Sequence, residues 1–387
     1  MNSFLAPAAT LAGPEQVPAE IARYAVGEAV WAPSVHNTQP WWFSVGSGGL
    51  SLYADQARQL AAADPAGREM LISCGAALFT ARLALRAAGY VPQAQILPDP
   101  ARPLLVARLS WERGPAPTSY ERRLAAQVRL RRAHRGGFDP LPLAPELLAV
   151  LRECARRYGA VLRVITDEGT RAALAEIVQA AERALEADSA HVRELTAWTS
   201  GPGSSRADGV PATAYPARAE RTFPHFPSPD FARGRGWGQP PLSTMPGRSA
   251  GVVCLLSTSS DQPADWINAG QALQRILLTS AACGVAAALH SQPFQLGWGR
   301  ELMRSRPGLR PQLLLRLGTT VQATAGVRRP PDSVLFTVGG EPADLATGER
   351  AGQPAAAMRA PRAVLSTRNR HIRTHGHHHR PALVHVP

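Results

Sequence analysis

The sequence predicts an α+β fold built around a unit that occurs twice. Residues 72–78 (ISCGAAL) match residues 267–273 (INAGQAL), and each run opens an apolar stretch with the character of a helix. Residues 103–109 (PLLVARL) match residues 311–317 (PQLLLRL), and both have the character of a strand. Two matches in the same order predict a duplicated helix–turn–strand unit. Chance similarity in a chain rich in Ala, Leu and Arg is the alternative.

The first unit begins with a predicted helix, a turn and a strand. Residues 18–31 are expected to form the helix, because Pro18 suits a first turn and apolar residues recur at helical spacing. Pro33 cannot continue a helix, so the helix ends before it. Residues 41–43 (WWF) have strand propensity. The long apolar helix that follows is expected to end at Gly89, since glycine suits a helix C-cap.

The turn between this first helix and its strand is dense in hydrogen-bonding groups. Its polar members are Ser34, His36, Asn37, Thr38 and Gln39. Polar loop residues held between rigid elements are common in binding sites, so the turn predicts a site. A solvated turn is the alternative from this motif alone. We expect His36 to pack or hydrogen-bond rather than to donate a proton.

The second unit differs in content from the first. Residues 131–135 (RRAHR) are predicted to lie just before a helix over 144–157, and a strand follows over 161–166. Residues 198–247 form an insertion rich in Gly, Pro, Ser and Arg, which predicts a lid, a binding loop or disorder. The predicted division is a first half, a second half that carries the insertion, and a basic, disordered tail: residues 1–112, 113–338 and 339–387.

The charge balance is basic, at +13, and no lysine occurs among the 42 Lys and Arg residues. Because arginine binds phosphate bidentately, a nucleic-acid partner is one interpretation. Residues 340–387, however, hold seven arginines against three acids, a surplus of four. No helix-turn-helix, zinc-finger or RNA-binding signature accompanies the rest. We therefore expect no nucleic-acid partner.

Cysteines and hydropathy together predict a cytoplasmic protein. Cys74, Cys154, Cys254 and Cys283 lie apart in apolar segments, as buried free thiols of a reducing compartment do. We expect no apolar run long enough for a membrane span, and residues 276–289 come closest. The first residues lack the basic start of a signal peptide.

Three motif matches do not predict a site. Residues 247–251 (GRSAG) fit the Gly-x-Ser-x-Gly elbow of hydrolases, but that elbow needs a strand before Ser249 and a helix after it. Here a strand-like run comes after the serine. The glycines of residues 234–238 lack the spacing of a dinucleotide fingerprint. His375 and residues 377–379 have no acidic or cysteine neighbours, so we expect no metal site there.

Two groups of arginines predict a phosphate clamp. They are Arg131, Arg132 and Arg135 before the predicted helix, and Arg328 and Arg329 after the last predicted strand. Guanidinium forks suit phosphate oxygens, and polar turns at 33–39 and 290–293 suit the edge of a planar heterocycle. A phosphorylated planar cofactor would engage all of these segments together. Solvated helix and strand ends are the alternative for either arginine group.

These motifs resemble the FMN-dependent nitroreductase family, and their order resembles its Acg-like actinobacterial branch. The matching segments are PSVHNTQPW at 33–41, RRAHRGGF at 131–138, DGVP at 208–211, SQP at 291–293 and RRPPDSV at 328–334. The resemblance covers about residues 17–338. It implies a nitroreductase-like fold, with an antiparallel-rich sheet and packed helices. It also implies that one chain is similar to the family's dimer fused into a pseudo-dimer.

The resemblance further implies a set of cofactor-binding residues. They are Pro33, Ser34, Asn37, Gln39, Arg131, Arg132, Arg135, Ser291, Gln292, Arg328 and Arg329. Arg131, Arg328 and Arg329 would hold the FMN phosphate, and Arg135 would lie near the pyrimidine edge of the ring. The turn residues of the first half would contact the ribityl chain and the ring, and the backbone at 291–292 would approach the flavin N5. No catalytic acid or base and no metal ligand is implied.

Two functions are open on this resemblance. In the first, NAD(P)H reduces FMN, and a nitroaromatic, quinone or similar small molecule accepts the electrons. In the second, a stress-related protein sequesters FMN beneath the insertion, with little or no turnover. The polar turn occurs only in the first half and its arginine partners only in the second. One composite site, and one FMN per chain, is therefore predicted.

Overall fold

The computed structural model describes residues 19–46, 48–218, 221–240, 248–304, 308–320 and 326–338. Nine helices lie in these ranges: α1 (Ala19–Ala29), α2 (Arg68–Ala87), α3 (Ser119–Gln127), α4 (Pro145–Arg156), α5 (Glu168–Ala187), α6 (Ser189–Ala197), α7 (Pro263–Ala281), α8 (Gln292–Gln295) and α9 (Gly297–Leu302). Thirteen strands accompany them in the same ranges: β1 (Trp41–Gly46), β2 (Gly49–Ala54), β3 (Tyr90–Ile96), β4 (Leu105–Arg113), β5 (Ala160–Ile165), β6 (Thr199–Ser200), β7 (Val210–Pro211), β8 (Thr222–Phe223), β9 (Arg248–Ser249), β10 (Val252–Thr258), β11 (Ala286–His290), β12 (Arg310–Gly318) and β13 (Leu335–Thr337). The predicted α+β class is confirmed.

Two antiparallel sheets share one strand order. The first runs β13-β1-β2-β4-β3, and the second runs β11-β12-β10-β5. In each half, the four strands of the sheet, numbered in chain order within that sheet, are arranged first, second, fourth, third, and all their pairings are antiparallel. In the second half the short strands β6–β9 come between the first and second of these strands. The exception to the antiparallel pairing is β13, which crosses from the second half to pair in parallel with β1 of the first. Strand β13 therefore fastens the two halves together.

Helices α2 and α7, which carry the first repeated motif, pack against each other at the centre of the molecule. A Cβ added to Gly75 would lie 2.0 Å from the carbonyl oxygen of Ile267, and one added to Gly270 would lie 1.9 Å from that of Ile72. Only glycine permits this close approach at both positions. The contact is reciprocal, as contacts across a two-fold axis are. The duplication itself stays a proposal.

The main core is continuous across both halves. Alternation along β1 decides which core each aromatic residue joins, because successive strand side chains point to opposite faces. Trp41 and Phe43 are fully buried in the main core. Trp42 faces the other way and stacks on Tyr53, with 4.0 Å between ring centroids. The helix that precedes this strand ends at Ala29, two residues before the predicted limit of 31.

Helix α2 is apolar on nearly every side, because it packs against α1 and α7 and beneath the first sheet. Among the described residues it is the one helix that is long and apolar enough to span a membrane. The expectation that no run reaches that length is therefore wrong. Helix α2 is this apolar because it lies in the core, where 83% of its most apolar window is buried inside the protein.

Several other predictions are confirmed and some are corrected. The helix and strand predicted over 144–157 and 161–166 are α4 and β5. Gly89 follows α2 with a positive φ of 85°, as helix-terminating glycines do, and Gly284 follows α7 in the same way with a φ of 70°. The prediction that all four cysteines are buried is wrong for Cys283, which is exposed. The tail, with its histidines, lies outside the described residues.

The basic segment 131–135 precedes α4, the helix predicted after it, but residues 136–144 separate the two. It follows α3, a helix that sequence patterns missed, and Ala133 forms a parallel bridge with Ala287 beside β11. The signal for α3 was present. Thr118 and Glu121 form a capping box, in which the Glu121 amide donates to Thr118 Oγ1 and the Thr118 amide donates to the Glu121 carboxylate.

The insertion folds into short elements with a core of its own. Strands β6 and β7 pair in parallel, and so do β8 and β9. Val210, Tyr215 and Phe231 are buried in the small core of this region. The described part of the insertion is therefore an ordered cover rather than a structureless loop. The division of the chain at 112 and 338 stays a prediction.

Candidate functional site

One cavity lies where the polar turn of the first half meets the basic segment of the second. It holds about 1230 Å³ of space not filled by atoms, part of it open to solvent. Its walls come from the 33–37 turn, the start of α2, the 131–135 segment, the insertion and the turn after β11. Nine of the eleven predicted cofactor-binding residues line it: Pro33, Ser34, Asn37, Arg131, Arg132, Arg135, Ser291, Gln292 and Arg328. The structure therefore brings together segments that are far apart in sequence.

Three arginines gather around Trp31 at one end of this cavity. Arg131 Nη2 and Arg328 Nη2 each donate to the Trp31 carbonyl at 3.3 Å, and Arg132 Nη1 donates to the Arg131 carbonyl at 2.8 Å. The Trp31 ring faces Arg132 and Arg328 at 4.9 Å and 5.5 Å. The Nε atoms of all three guanidiniums are buried without a hydrogen-bond partner in the described part of the chain. These three arginines, with Trp31, are called the arginine cluster below.

The arginine cluster is held at an electrostatic cost. Burial first, and then the neighbouring arginines, lower the pKa of Arg131 to about 10 and that of Arg328 to about 9. No carboxylate of the described residues forms an ion pair with any arginine of the cluster. Buried like charges without a counter-ion repel one another, and a bound anion relieves that repulsion. The cluster is thus suited to an anion such as phosphate.

Arg135 joins the cavity to the insertion. Its Nη1 donates to the Ala214 carbonyl at 2.8 Å, and its guanidinium lies 5.3 Å from the centre of the Phe231 ring. Burial lowers its pKa to about 10. Arg135 therefore places a positive charge at the boundary between the cavity and its cover.

Asn37 fixes the polar turn against two other walls of the cavity. Its Nδ2 donates to the Gly209 carbonyl at 3.0 Å and to the Val327 carbonyl at 3.1 Å. The backbone at His36 and Asn37 has positive φ angles of 48° and 54°, a conformation that is uncommon for residues other than glycine. The bonds of Asn37 to the insertion and to the 326–328 segment hold the turn in this conformation.

His36 packs rather than titrates near neutral pH. Its ring meets Phe231 edge-on at 6.0 Å. Burial, followed by the charges of His191 and Arg135, lowers the pKa of His36 to about 3. The imidazole is therefore neutral in the folded protein at ordinary pH.

Gln39 and Arg329 are the two predicted residues that do not line the cavity. Gln39 Oε1 accepts the Arg329 amide at 2.9 Å, and Gln39 Nε2 donates to the Ala207 carbonyl at 2.9 Å. The Arg329 guanidinium donates to the Ser333 carbonyl at 2.8 Å. Because their polar groups are engaged with the protein behind the cavity, direct contact with a ligand is not supported. The hydrogen bond from the Arg329 amide to Gln39 joins the polar turn to the segment that follows residue 326.

The turn after β11 presents polar groups from the second half. Gln292 is buried, and its Nε2 donates to the Pro227 carbonyl of the insertion at 3.5 Å, while its Oε1 is buried without a partner among the described residues. Ser291 Oγ accepts from Gln295 Nε2 at 3.3 Å. This turn therefore contacts the cover on one side and the cavity on the other.

Sequence reasoning missed two charged residues in the cavity wall, Arg68 and Glu69. They begin α2 and are only 2% and 3% exposed. Arg68 Nη1 donates to the Gln312 carbonyl at 2.9 Å, and Arg68 Nη2 contacts Glu69 Oε1 at 3.1 Å. Charged residues are almost never fully buried unless they are paired. The signal in the sequence was an Arg-Glu pair at the head of an apolar helix.

Comparison with known proteins identifies the family. The chain is 32% identical over 305 residues to a Mycobacterium tuberculosis (strain H37Rv) protein named "Putative NAD(P)H nitroreductase Rv3131", covering 78% of this chain and 85% of that one. It is 30% identical over 325 residues to "Putative NAD(P)H nitroreductase acg" of the same organism, covering 82% and 96%. The chain belongs to the nitroreductase family, and its relatives include Acg. The predicted family and nitroreductase-like fold are therefore confirmed.

No family model matches this nitroreductase-family chain. Among solved structures, it is similar to a nitroreductase with bound FMN from Desulfitobacterium hafniense, at 14% identity and a TM-score of 0.35, covering 55% of this chain and 97% of that one. It is also similar to a protein from Anabaena variabilis whose structure is named "a putative nitroreductase", at 13% identity and a TM-score of 0.33, covering 78% of this chain and 88% of that one. At these TM-scores the superpositions add nothing to the assignment, which stands on the sequence relatives.

Proposed function

We propose that this nitroreductase-family protein binds FMN in the cavity and transfers electrons from NAD(P)H to a small nitroaromatic or quinone-type acceptor. The observation that carries the proposal is the arginine cluster, where Arg131, Arg132 and Arg328 line the cavity without a carboxylate partner among the described residues. Such a cluster needs an anion, and the phosphate of FMN supplies one. Relatives with more than 30% identity carry the name NAD(P)H nitroreductase, which supports the electron donor.

The residues around the cavity suit the other parts of FMN. The arginine cluster would hold the phosphate through the guanidiniums of Arg131, Arg132 and Arg328, which line the cavity. Arg135 would supply positive charge near the pyrimidine edge of the ring. Pro33, Ser34 and Asn37 would border the ribityl chain and the ring from the opposite half. Gln39 and Arg329 would act from behind the cavity, as positioning residues.

The chemistry asked of the side chains is modest. FMN, when bound, supplies hydride acceptance and the storage of two electrons. The arginine cluster binds and orients the phosphate, and Arg135 favours negative charge on the ring. The insertion lines the cavity with Val210, Pro211 and Phe231 and would shield a bound ring from water on that side. No acid or base of the chain is needed to bind the cofactor.

We further propose that each chain takes one FMN and that the two halves are a fused pseudo-dimer. The shared strand order and the reciprocal glycine contact support a duplicated unit. The composite site needs the polar turn of the first half and the arginines of the second, and that combination occurs once. Flavin absorbance against protein concentration should give one FMN per chain, and two would refute the proposal. We also expect a cytoplasmic protein without a nucleic-acid or membrane partner.

A second candidate function is sequestration of FMN. The observation in its favour is that the insertion lines the cavity with residues from 209 to 231, and that Arg135 and Asn37 bond to its backbone. A cover tied down in this way would slow the entry of a nicotinamide or an acceptor. Movement of the cover would allow turnover.

One experiment separates the two functions. The purified protein is reconstituted with FMN, and NADPH or NADH is added without oxygen while the flavin absorbance is followed. Rapid bleaching supports the oxidoreductase. A yellow protein that dithionite bleaches and nicotinamides do not bleach supports sequestration. A protein that takes up no FMN refutes both.

A further inference from the structure

Two buried carboxyl groups lie close to the buried Arg68 at the start of α2, and one of them, Glu69, pairs with its guanidinium. Asp64 and Glu69 are 5% and 3% exposed, and Arg68 between them is 2% exposed. Arg68 Nη2 contacts Glu69 Oε1 at 3.1 Å, while its Nη1 donates to the carbonyl and the side chain of Gln312 at 2.9 Å and 3.0 Å. Two carboxylates beside one buried cation would leave a net negative charge. Burying an unpaired charge is unfavourable, so one of the two acids retains its proton.

Hydrogen bonding decides that Asp64 carries the charge. Asp64 Oδ2 accepts the Met70 amide at 2.8 Å, and the amides of Arg68 and Glu69 also favour its ionised form. Backbone amides at a helix start stabilise a carboxylate. Glu69 Oε2 instead receives only a long contact from Gln295 Nε2, at 3.4 Å. The three backbone amides therefore favour the charge on Asp64 and the proton on Glu69, in opposition to the contact of Arg68 Nη2 with Glu69 Oε1.

The groups that face Glu69 agree with this assignment. Burial is the largest influence and raises the pKa of Glu69, and the charge of Asp64 raises it further. Arg68, the Gln295 amide and Arg300 act in the opposite direction and do not reverse the shift. Burial also raises the pKa of Asp64, but the backbone amides lower it. Glu69 is accordingly the acid with the higher pKa of the pair.

Glu69 also borders the cavity. It is the one carboxyl group among the described residues of the cavity lining. Gln295 Nε2 contacts both Glu69 Oε2 and Ser291 Oγ, so Glu69 is connected to the turn at which the flavin N5 is expected. His36, which lines the same cavity, has a pKa lowered to about 3 and holds no transferable proton at neutral pH.

We propose that Glu69 donates the proton that an electron acceptor needs when it is reduced in the cavity. This inference rests on the proposed oxidoreductase function. A quinone that receives a hydride equivalent from the reduced flavin and a proton from the Glu69 carboxyl becomes a hydroquinone. A nitro compound that receives the same pair becomes a nitroso compound and water. In each case the Glu69 O–H bond breaks, an O–H bond forms on the acceptor, and the carboxylate regains a proton from solvent.

The test uses the full chain loaded with FMN and the variant Glu69→Gln, which keeps the shape and removes the proton. The flavin is reduced with dithionite, so that its reoxidation by p-benzoquinone is measured independently of any nicotinamide. We expect reoxidation to be about 100-fold slower in the variant, since general acid catalysis contributes on the order of 10²–10⁴. The dissociation constant of FMN should be unchanged. In the wild-type protein the rate should fall as Glu69 ionises at alkaline pH, and in the variant it should not.

A second readout does not depend on activity. The infrared C=O stretch of a protonated carboxyl should be present at neutral pH in the wild-type protein and reduced in Glu69→Gln. The variant Asp64→Asn keeps a helix-capping side chain but removes the charge that raises the pKa of Glu69. It should therefore move the alkaline decline of the reoxidation rate to lower pH.

The possible failures are distinguishable. A flavoprotein whose reoxidation rate and pH profile are the same in the wild type and in Glu69→Gln overturns the donor role alone. An infrared band that is unchanged in Glu69→Gln places the proton on another group and also overturns it. A wild-type protein without a flavin spectrum after reconstitution overturns the proposed function, and the donor role with it.

Discussion

Gly75 and Gly270 lie at the α2–α7 contact, each against the carbonyl oxygen of the isoleucine three residues before the other. The added Cβ atoms would stand 2.0 Å and 1.9 Å from those oxygens. These oxygens belong to the buried backbone of a helix, which cannot move aside as a flexible side chain can. The close approach of α2 and α7 therefore depends on these two glycines, which occupy the same position in the two copies of the repeated motif.

Gly75→Ala should destabilise the protein. The new methyl group forces α2 and α7 apart, and overpacking of a core commonly costs about 1–3 kcal/mol. We expect the free energy of unfolding to fall by about 2 kcal/mol, measured by urea denaturation followed by circular dichroism.

Gly27→Ala on α1 is the matched control. Its added Cβ would meet only Pro331 Cγ, at an ordinary 3.7 Å. The better helix propensity of alanine should then raise stability by about 0.5–1 kcal/mol. Equal effects of the two substitutions would show that the α2–α7 contact is not tight.

Arg131→Ala should weaken FMN binding. Loss of one charge-assisted contact to phosphate costs about 2 kcal/mol, or about 30-fold in the dissociation constant. The quenching of flavin fluorescence on binding measures this. Arg129→Ala is the control, because Arg129 is exposed and pairs with Glu28 outside the cavity. Unchanged affinity in Arg131→Ala would remove Arg131 from the site.

Gly209→Ala should loosen the cover. Gly209 has a φ of 74°, and an added Cβ would lie 2.7 Å from the Trp198 carbonyl oxygen. Because Gly209 also accepts Asn37 Nδ2, the strain falls on the contact between the insertion and the polar turn. We expect bound FMN to dissociate several-fold faster. The dissociation rate is measured after dilution into an excess of an FMN-binding apoprotein such as apoflavodoxin, which captures the released FMN, or by dialysis.

Gly203→Ala is the control that separates the steric clash with the Trp198 carbonyl from the cost of placing alanine at a positive φ angle. Gly203 has a similar φ of 76°, but nothing lies within 4 Å of its added Cβ. Its release rate of FMN should match that of the wild type. If Gly203→Ala accelerates release as much as Gly209→Ala does, the contact with Trp198 is irrelevant to the cover.

The sequence was most informative where local rules decide the structure. The helix over 144–157, the strand at Trp41 and the helix-ending glycines followed from propensity and periodicity. Nine of the eleven residues named as cofactor-binding also line one cavity, and their binding role stays a prediction. Which residues lie behind the cavity wall depends on tertiary placement. Gln39 and Arg329 carry suitable groups, but each satisfies the other behind the wall.

Burial explains the remaining misses. Arg68 and Glu69 are ordinary helix residues by pattern, and only the packing of α2 makes them buried and functional candidates. Trp31 is a single aromatic residue at a helix end, yet its carbonyl and ring organise the arginine cluster. No spacing rule reports which of two buried carboxyls keeps its proton, since that depends on hydrogen bonds made across the fold.

Glu182 should make stability depend on pH. It lies on α5, is 7% exposed, and burial raises its pKa to about 7, while its bond with Gln292 acts in the opposite direction. The folded state therefore holds this proton more tightly than the unfolded state, in which the pKa is near the ordinary value of 4.5 for a glutamate. As pH rises from about 4.5 to about 7, the unfolded state loses its proton first, so the stability from this group falls through that window and is constant above it.

The variant Glu182→Gln isolates this contribution. The difference in unfolding free energy between variant and wild type should shift in favour of the variant by about 3 kcal/mol between pH 4 and pH 8. Urea denaturation at the two pH values measures it. Glu186→Gln, one turn further along α5 at an exposed position, is the control and should show no such shift. A Glu182→Gln difference that is the same at both pH values would mean that Glu182 is ionised in the folded protein.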